Sequence, residues 1–309
     1  MRKKKTLFFL AVAFALLLSA NTFAAAPKLN RKSVTMEIGQ KTNGKKGILL
    51  KVKNADRVKS WFTDDPTVAN IAPDGKQCRV YGIGYGTATI TVKADGKKLT
   101  CKIKVKDPQP GLRVPMPYSG YKKLTKKAKG RASDALAIAE SQAGYVGAGS
   151  AQKGVAYYGS KWSTYVDNKR QSGAWCSDFV SWCLCAARVP DQIGLYAVRN
   201  GYHKSKTVCG YFSKSGSLYR YKPAYRKKQK EIDNYLKGYE IAGTLTEKTV
   251  RPGDVGIVNY GSHAVFIKKV NTRDGSLWIV EGNCSNRALK NRCIRADEVV
   301  AIARPAYTG

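Results

Sequence analysis

Three separated runs hold the residues best suited to chemistry: AWCSDFVSWC around Cys176, GSHAVFI at His263 and VEGNCSN at Glu281. A thiol, an imidazole and a carboxylate are the groups of nucleophilic amide hydrolysis. The thiolate attacks a carbonyl, the imidazole moves the proton, and a third polar group orients the ring. The chain contains only two histidines, so the choice of general base is nearly forced. His203 lies in the polar run GYHKSKT and reads as a solvated surface residue. No paired C-x-x-C and no HExxH occurs, so the sequence offers no zinc pattern and no cofactor is expected.

The elements around these residues explain how they meet. Phe179, Val180, Cys183 and Ala187 recur at the spacing of one buried helix face. Trp175 and Cys176 sit at the N-terminal edge of that helix, after the turn-like stretch Asn168 to Gly173. Unpaired N–H groups there favour a thiolate and suit an oxyanion. By position alone, a buried or disulfide-bonded Cys176 is an equal reading. Further on, a strand from Asp254 to Tyr260 turns at Gly261-Ser262 into a second strand, His263 to Val270. Alternation places His263 with Val265 on one side and Ala264 with Phe266 on the other. After a turn at Asn271 to Ser276, the strand Leu277 to Val280 delivers Glu281 and Asn283, two positions apart and on one face. A lone glutamate near a strand end is ordinarily solvated; beside the histidine strand, Glu281 is a candidate to orient the imidazole.

From Ala135 to Ala303 the chain resembles the CHAP family of cysteine, histidine-dependent amidohydrolases/peptidases that cut bacterial peptidoglycan. The resemblance rests on AIAESQAGYVG, AYYGSKW, AWCSDFVSWC, CGYFSKSGSLY, RPGDVGIV, the histidine strand and VEGNCSN, in that order. It implies an α+β papain-like fold, with Cys176 as nucleophile and His263 as general base. Glu281 and Asn283 would complete the quartet. Two departures stand out. Ser262 occupies the place of a residue such as Asp, and the charged stretch Lys222 to Lys248 is longer than expected.

Ahead of this part, residues 27–107 carry short alternating runs: SVTMEI, GILLKVK, SWFT, QCRVYGI, TATITVK and LTCKIKV. Turn signals at Asn43-Gly44, Asp74-Gly75, Gly82 to Gly86 and Asp95-Gly96 separate them, as in a small antiparallel sandwich. LNRKSVTMEIGQ, VKSWFTDDPTVANIAPDGKQCRVYGIGYGTATITV and CKIKV resemble a group 2 bacterial Ig-like domain, which serves as an adhesive module or a spacer. Residues 108–130 combine prolines with YKKLTKKAKG and read as an extended, solvated linker, leaving 131–309 for the enzyme. The whole is expected to be an all-β Ig-like sandwich followed by an α+β CHAP domain. At the start, MRKKK and the apolar run Leu7 to Leu18 precede SANTFAAAP. This reads as a signal peptide over 1–24, cleaved after Ala24, because the run is short of the ~20 residues of a membrane span.

Charge points to the surroundings. Loss of Arg2 to Lys5 with the signal takes the formal charge from +34 to about +30. It is spread as about +11 in the sandwich, about +6 in the linker and about +13 beyond. Such a field favours polyanions: for a chain secreted or wall-associated on a Gram-positive cell, teichoic acids, anionic glycans or the membrane surface. A secretory start without a nucleic-acid motif argues against nucleic acid. Eight cysteines in a secreted chain permit disulfides. The candidate pairs are Cys78 with Cys101, Cys284 with Cys293, and Cys209 with Cys183 or Cys185. The expected activity is cleavage of an amide in the wall peptide, as amidase or endopeptidase. A wall-bound adhesion or structural protein, whose CHAP-like part binds without cutting, is the alternative.

Overall fold

The computed structural model describes residues 25–107, 109–149, 156–162, 174–190 and 205–309. The expected signal peptide, the Asn168 to Gly173 turn and His203 lie outside these residues. The described chain is largely β-sheet with few helices. Among the described residues, no helix is long and apolar enough to cross a membrane.

The N-terminal part runs, in chain order, through β1 (Lys28–Leu29), β2 (Ser33–Met36), β3 (Lys41–Thr42), β4 (Lys45–Lys46) and β5 (Ile48–Lys53). It continues through β6 (Val58–Thr63), β7 (Ala69–Asp74), β8 (Gln77–Gly82), β9 (Gly86–Ala94) and β10 (Lys97–Val105). Two four-stranded sheets form, β1-β5-β8-β7 and β2-β10-β9-β6. Alternation buries one side of each: Leu50 and Val52 on β5, Ile90 and Val92 on β9, Cys101 and Ile103 on β10. The sandwich is not wholly antiparallel, since β2 runs parallel to β10. Strand β7 has no clean alternation in ANIAPD, so its sequence does not announce it.

The C-terminal part begins earlier than the sequence suggested. The stretch read as an extended linker contains helix α1 (Gly120–Lys127), and helix α2 (Ala132–Glu140) follows. Tyr121, Thr125 and Ala128 recur on one buried face of the first, while its lysines are turned outward. The amphipathic spacing, masked by the lysines, makes this segment part of the core rather than a solvated tether. Next come a π-helical turn (Tyr158–Trp162), α3 (Cys176–Ala186) and α4 (Ser205–Lys214). Strand β11 (Leu218–Tyr221), α5 (Gln229–Tyr235), β12 (Gly243–Leu245) and β13 (Val255–Val258) succeed them. The last strands are β14 (His263–Val270), β15 (Leu277–Cys284), β16 (Arg287–Ile294) and β17 (Val299–Ala303). One seven-stranded sheet has the order β12-β11-β17-β13-β14-β15-β16. Ala264, Phe266 and Val280 pack with Phe179 and Val180 of α3, whereas Val265, Ile267 and Ile279 join a separate cluster. Helix α3 is buried along every side, its Ser177, Asp178 and Ser181 included, so the single apolar face expected of it understates its enclosure.

The two parts are joined by a packed seam. Ile83, in the β8–β9 connection between the two sheets, enters the cluster that holds α3. A Cβ on Gly84 would come within 2.6 Å of Trp162, so only glycine lets that connection so close. The Tyr157 hydroxyl donates to the Tyr85 carbonyl at 2.9 Å. Arg188 donates to the Thr63 carbonyl at 2.7 Å and the Thr125 carbonyl at 2.9 Å, and its guanidinium lies over the Phe62 ring. Buried Asp65 accepts from the Tyr121 hydroxyl at 2.8 Å, and Tyr121 meets Trp182 edge-on.

All eight cysteines lie in described residues and none forms a disulfide, contrary to the expected pairings. Cys78 and Cys101 sit in different sheets as separate buried thiols, and burial pushes them up to about 12 and about 11. Cys284 pairs across the β15–β16 hairpin with Arg287, next to the turn, and Cys293 with Trp278, six residues along, or roughly 20 Å. Cys183, Cys185 and Cys209 are buried thiols, and burial pushes Cys185 and Cys209 up to about 12.

Candidate active site

Cys176 opens helix α3, with Trp175 at the N-cap position. No side chain of the N-cap residue closes the first turn, and the positive end of the helix dipole lies at Cys176. Trp175 is fixed from three sides. It stacks on Tyr158, lies edge-on to Tyr145, and donates its indole N–H to Asn286 Oδ1 at 3.1 Å. Asn286, in a left-handed conformation with φ 62°, spends its amide on the Gly147 carbonyl at 2.9 Å. The nucleophile candidate therefore stands on a buried aromatic block rather than on a loop.

The β13–β14 hairpin brings the histidine. Val258 pairs with His263, and the turn between them bends through positive φ at Asn259, Tyr260 and Gly261. Tyr235 presses against Gly261 from outside, where any Cβ would collide with its hydroxyl. The hairpin tip meets the helix start, and Cys176 Sγ lies 4.0 Å from the Ser262 carbonyl oxygen. The Cys176 thiol and His263 are hydrogen-bonded.

Glu281 completes the line. Register places it opposite Val265 on the neighbouring strand, hence diagonal to His263 on the same face. His263 Nε2 and Glu281 Oε2 are 2.7 Å apart, which leaves Nδ1 for the thiol side. Glu281 is fully buried and is also gripped from β16: Arg292 Nε donates to Oε1 at 2.5 Å and Nη2 to Oε2 at 2.9 Å. Gly282 between Glu281 and Asn283 is demanded by packing, because a Cβ there would fall 2.5 Å from Phe179 and 2.7 Å from Trp175.

Asn283 follows a different course. The ladder is broken between Glu281 and Cys284, and Asn283 has φ 63°, so two-residue alternation no longer aligns it with Glu281. Among the described residues it makes no hydrogen bond to His263. Arg292 and Asn286 are the site residues that the sequence did not single out. Asn286 closes the VEGNCSN run in the β15–β16 turn, a position that suits asparagine, whereas Arg292 carried no local signal because its place depends on hairpin register.

The charges follow from these contacts. Burial alone would strip the proton from His263, but hydrogen bonds to Cys176 and Glu281 and their negative charges outweigh it, raising the imidazole to about 9. Burial would push Glu281 up, but Arg292 and then His263 hold it down at about 2. At neutral pH the arrangement favours imidazolium beside carboxylate, the state that supports a thiolate on Cys176.

No family model matches the chain, and no curated protein matches it. Among solved structures, it is similar to domains 4 and 5 of the S-layer protein SbsC, at 19% identity over 26% of this chain and 51% of that one, with a TM-score of 0.22. It is also similar to domains 5-6 of SbsC (20% identity, 29% and 46% covered, TM-score 0.22) and to an IG27 protein domain (17% identity, 26% and 98% covered, TM-score 0.19). The matched segment spans about half the length of the S-layer fragments. Similarity of this degree carries neither a family nor a function to this chain.

Proposed function

We propose that this protein is a thiol-dependent amide hydrolase acting on the peptide of peptidoglycan, with a CHAP-type, papain-like catalytic part, secreted or held at the wall. The observation that carries the reading is the line Cys176–His263–Glu281, in which the thiol meets the imidazole and the carboxylate holds the ring's far nitrogen. The ordered motifs from Ala135 to Ala303 support the substrate class through their resemblance to CHAP enzymes.

Each group has a defined task. The Cys176 thiolate attacks the amide carbonyl carbon, and the charge that develops on its oxygen lies at the positive end of the α3 dipole. Collapse breaks the C–N bond as imidazolium His263 protonates the departing nitrogen, leaving a thioester on Cys176. Neutral His263 then takes a proton from water, the hydroxide attacks the thioester, and the C–S bond breaks. The products are a carboxylic acid, which gives its proton to solvent, and a regenerated thiolate–imidazolium pair. Glu281 keeps the ring in one tautomer and offsets its charge. The basic surface supplies electrostatic attraction to anionic wall polymers.

Purified wall incubated with the protein should release fragments bearing a new carboxyl and a new amino end, identified by mass spectrometry, which also names the bond. Cys176→Ala should release none while still binding wall. Wild-type protein that binds and cuts nothing would leave the non-cutting adhesion reading in its place.

A further inference from the structure

A carboxylate that orients a catalytic histidine meets two demands that conflict. It must stay ionised although it is buried, and it must not draw the proton of the imidazolium onto itself. Glu281 is fully buried, and burial by itself favours its neutral form. The groups facing it are His263 from β14, Arg292 from β16 and the Cys284 thiol on its own strand. Beyond Arg292, Glu298 contributes a more distant negative charge.

Register explains how Arg292 reaches this place. It lies opposite Ile279, two residues before Glu281 on the same face, so its side chain runs diagonally onto the carboxylate. The ladder shifts beside this pair, and Asn291, the residue before Arg292, has φ 64°, the conformation that lets a strand bulge. The guanidinium contacts both carboxylate oxygens, Oε1 through Nε and Oε2 through Nη2. Oε2 is thus shared between Arg292 and His263. Its own side chain is 35% exposed, so its positive charge is not itself stranded in the core.

We propose that Arg292 is the positioning and charge-balancing residue of the site: it clamps Glu281 in the one orientation that reaches His263 Nε2 and closes an alternating chain Cys176⁻, His263⁺, Glu281⁻, Arg292⁺. The chain sums to zero when the thiolate is present. Without Arg292 the same working state carries a net negative charge in a buried site, which penalises the thiolate. The carboxylate is also free to rotate or to take up a proton. Lysine is a poor substitute, because a point charge cannot hold two oxygens in a fixed plane.

This inference rests on the thiol-hydrolase reading, so its test pairs turnover with a measurement that needs no substrate. The first is kcat/KM on purified wall; the second is the rate of Cys176 alkylation by iodoacetamide against pH, with the fold checked by thermal melting. Arg292→Gln should lower kcat/KM about tenfold, a fraction of the roughly 10²–10⁴-fold that a positioned acid–base residue supplies. It should also move the acid limb of Cys176 alkylation to higher pH, because Glu281 then protonates within reach of ordinary acid. Arg292→Lys should restore the alkylation limb, which depends on charge, more fully than the turnover, which depends on geometry. A folded Arg292→Gln protein with an unchanged alkylation profile would overturn the proposal. If wild type cuts no wall but its alkylation limb still shifts in Arg292→Gln, the thiol-hydrolase reading fails and the role of Arg292 stands.

Discussion

Asp65 and Glu281 are both carboxylates hidden from water, with 5% and 0% of their surface exposed, yet their surroundings drive them in opposite directions. Asp65 sits in the seam between the sandwich and α1, among hydroxyls: the Thr67 side chain at 2.6 Å, the Tyr121 phenol at 2.8 Å and the Thr67 N–H at 3.1 Å. Burial is the largest influence, and neither those neutral donors nor the weaker pull of the Lys122 charge overcomes it, so its carboxyl is raised above the usual carboxylate range. Glu281 meets the same burial, but Arg292 and His263 bring formal charge and hold it at about 2. The difference lies in the contact: Glu281 is hydrogen-bonded directly to charged partners, whereas Asp65 is hydrogen-bonded to neutral ones. One carboxylate is a docking strut, the other an anion that holds the His263 imidazole.

The difference has a signature in pH. Asp65, raised in the fold, contributes stability that is present below its ordinary 3.8 and is lost as pH rises through its folded value. Glu281, depressed in the fold, contributes stability that is present above its ordinary 4.5 and is lost as pH falls through about 2. That contribution amounts to roughly 3 kcal/mol at neutral pH.

The largest expected effect lies at the end of the Glu281 line. Cys176→Ala should abolish turnover, by about 10⁴-fold or more, while leaving the melting curve of the protein close to wild type. Activity surviving that change would place the chemistry elsewhere. Next, Glu281→Gln should slow turnover about 10- to 100-fold, a share of what general acid–base catalysis supplies. It should also move the alkaline limb of the rate profile from near 9 toward the ordinary histidine value of 6.5, since the amide no longer stabilises imidazolium. An unmoved limb would make the carboxylate merely structural. At the other carboxylate, Asp65→Ala leaves the Tyr121 hydroxyl without its acceptor and should cost about 1–3 kcal/mol by urea unfolding. Because Ile83, Gly84 and Arg188 tie the two parts together, both should unfold in one transition. Two well-separated transitions would restore the picture of beads on a tether. Asp65→Asn should cost less than Asp65→Ala, since it keeps an acceptor oxygen, and should flatten the acid-side pH dependence that the raised carboxyl creates. The smallest effect concerns the surface: binding to wall should weaken as screening shortens from ~10 Å at 0.1 M salt to ~3 Å at 1 M, with little change in folding. Affinity unchanged by salt would remove the electrostatic basis of wall attachment.

What could be read from the chain was what is local. Cys176 at a helix start, His263 after a glycine-bearing turn and Glu281 on the following strand are each announced within a dozen residues. Asn283 looked equivalent to Glu281 because alternation was extended past the point where the backbone turns left-handed. Arg292 was illegible for the converse reason, since its aim depends on the irregular ladder beside Asn291. The seam was illegible too, because Asp65 and Tyr121 are 56 residues apart and nothing in either segment announces the other. Helix α1 did carry a signal, in Tyr121, Thr125 and Ala128 at helical spacing, but five lysines in the same stretch argued for solvent.

The most direct measurement is the titration of the two histidine rings by NMR, with His203 as the second signal in the same tube. His263 should titrate with a midpoint near 9 in the wild-type protein, and that midpoint should fall in both Cys176→Ala and Glu281→Gln, because each removes one of the two negative partners that raise it. A His263 midpoint at or below the ordinary 6.5, indifferent to both substitutions, would mean that no thiolate–imidazolium pair forms and would contradict the catalytic reading of this site.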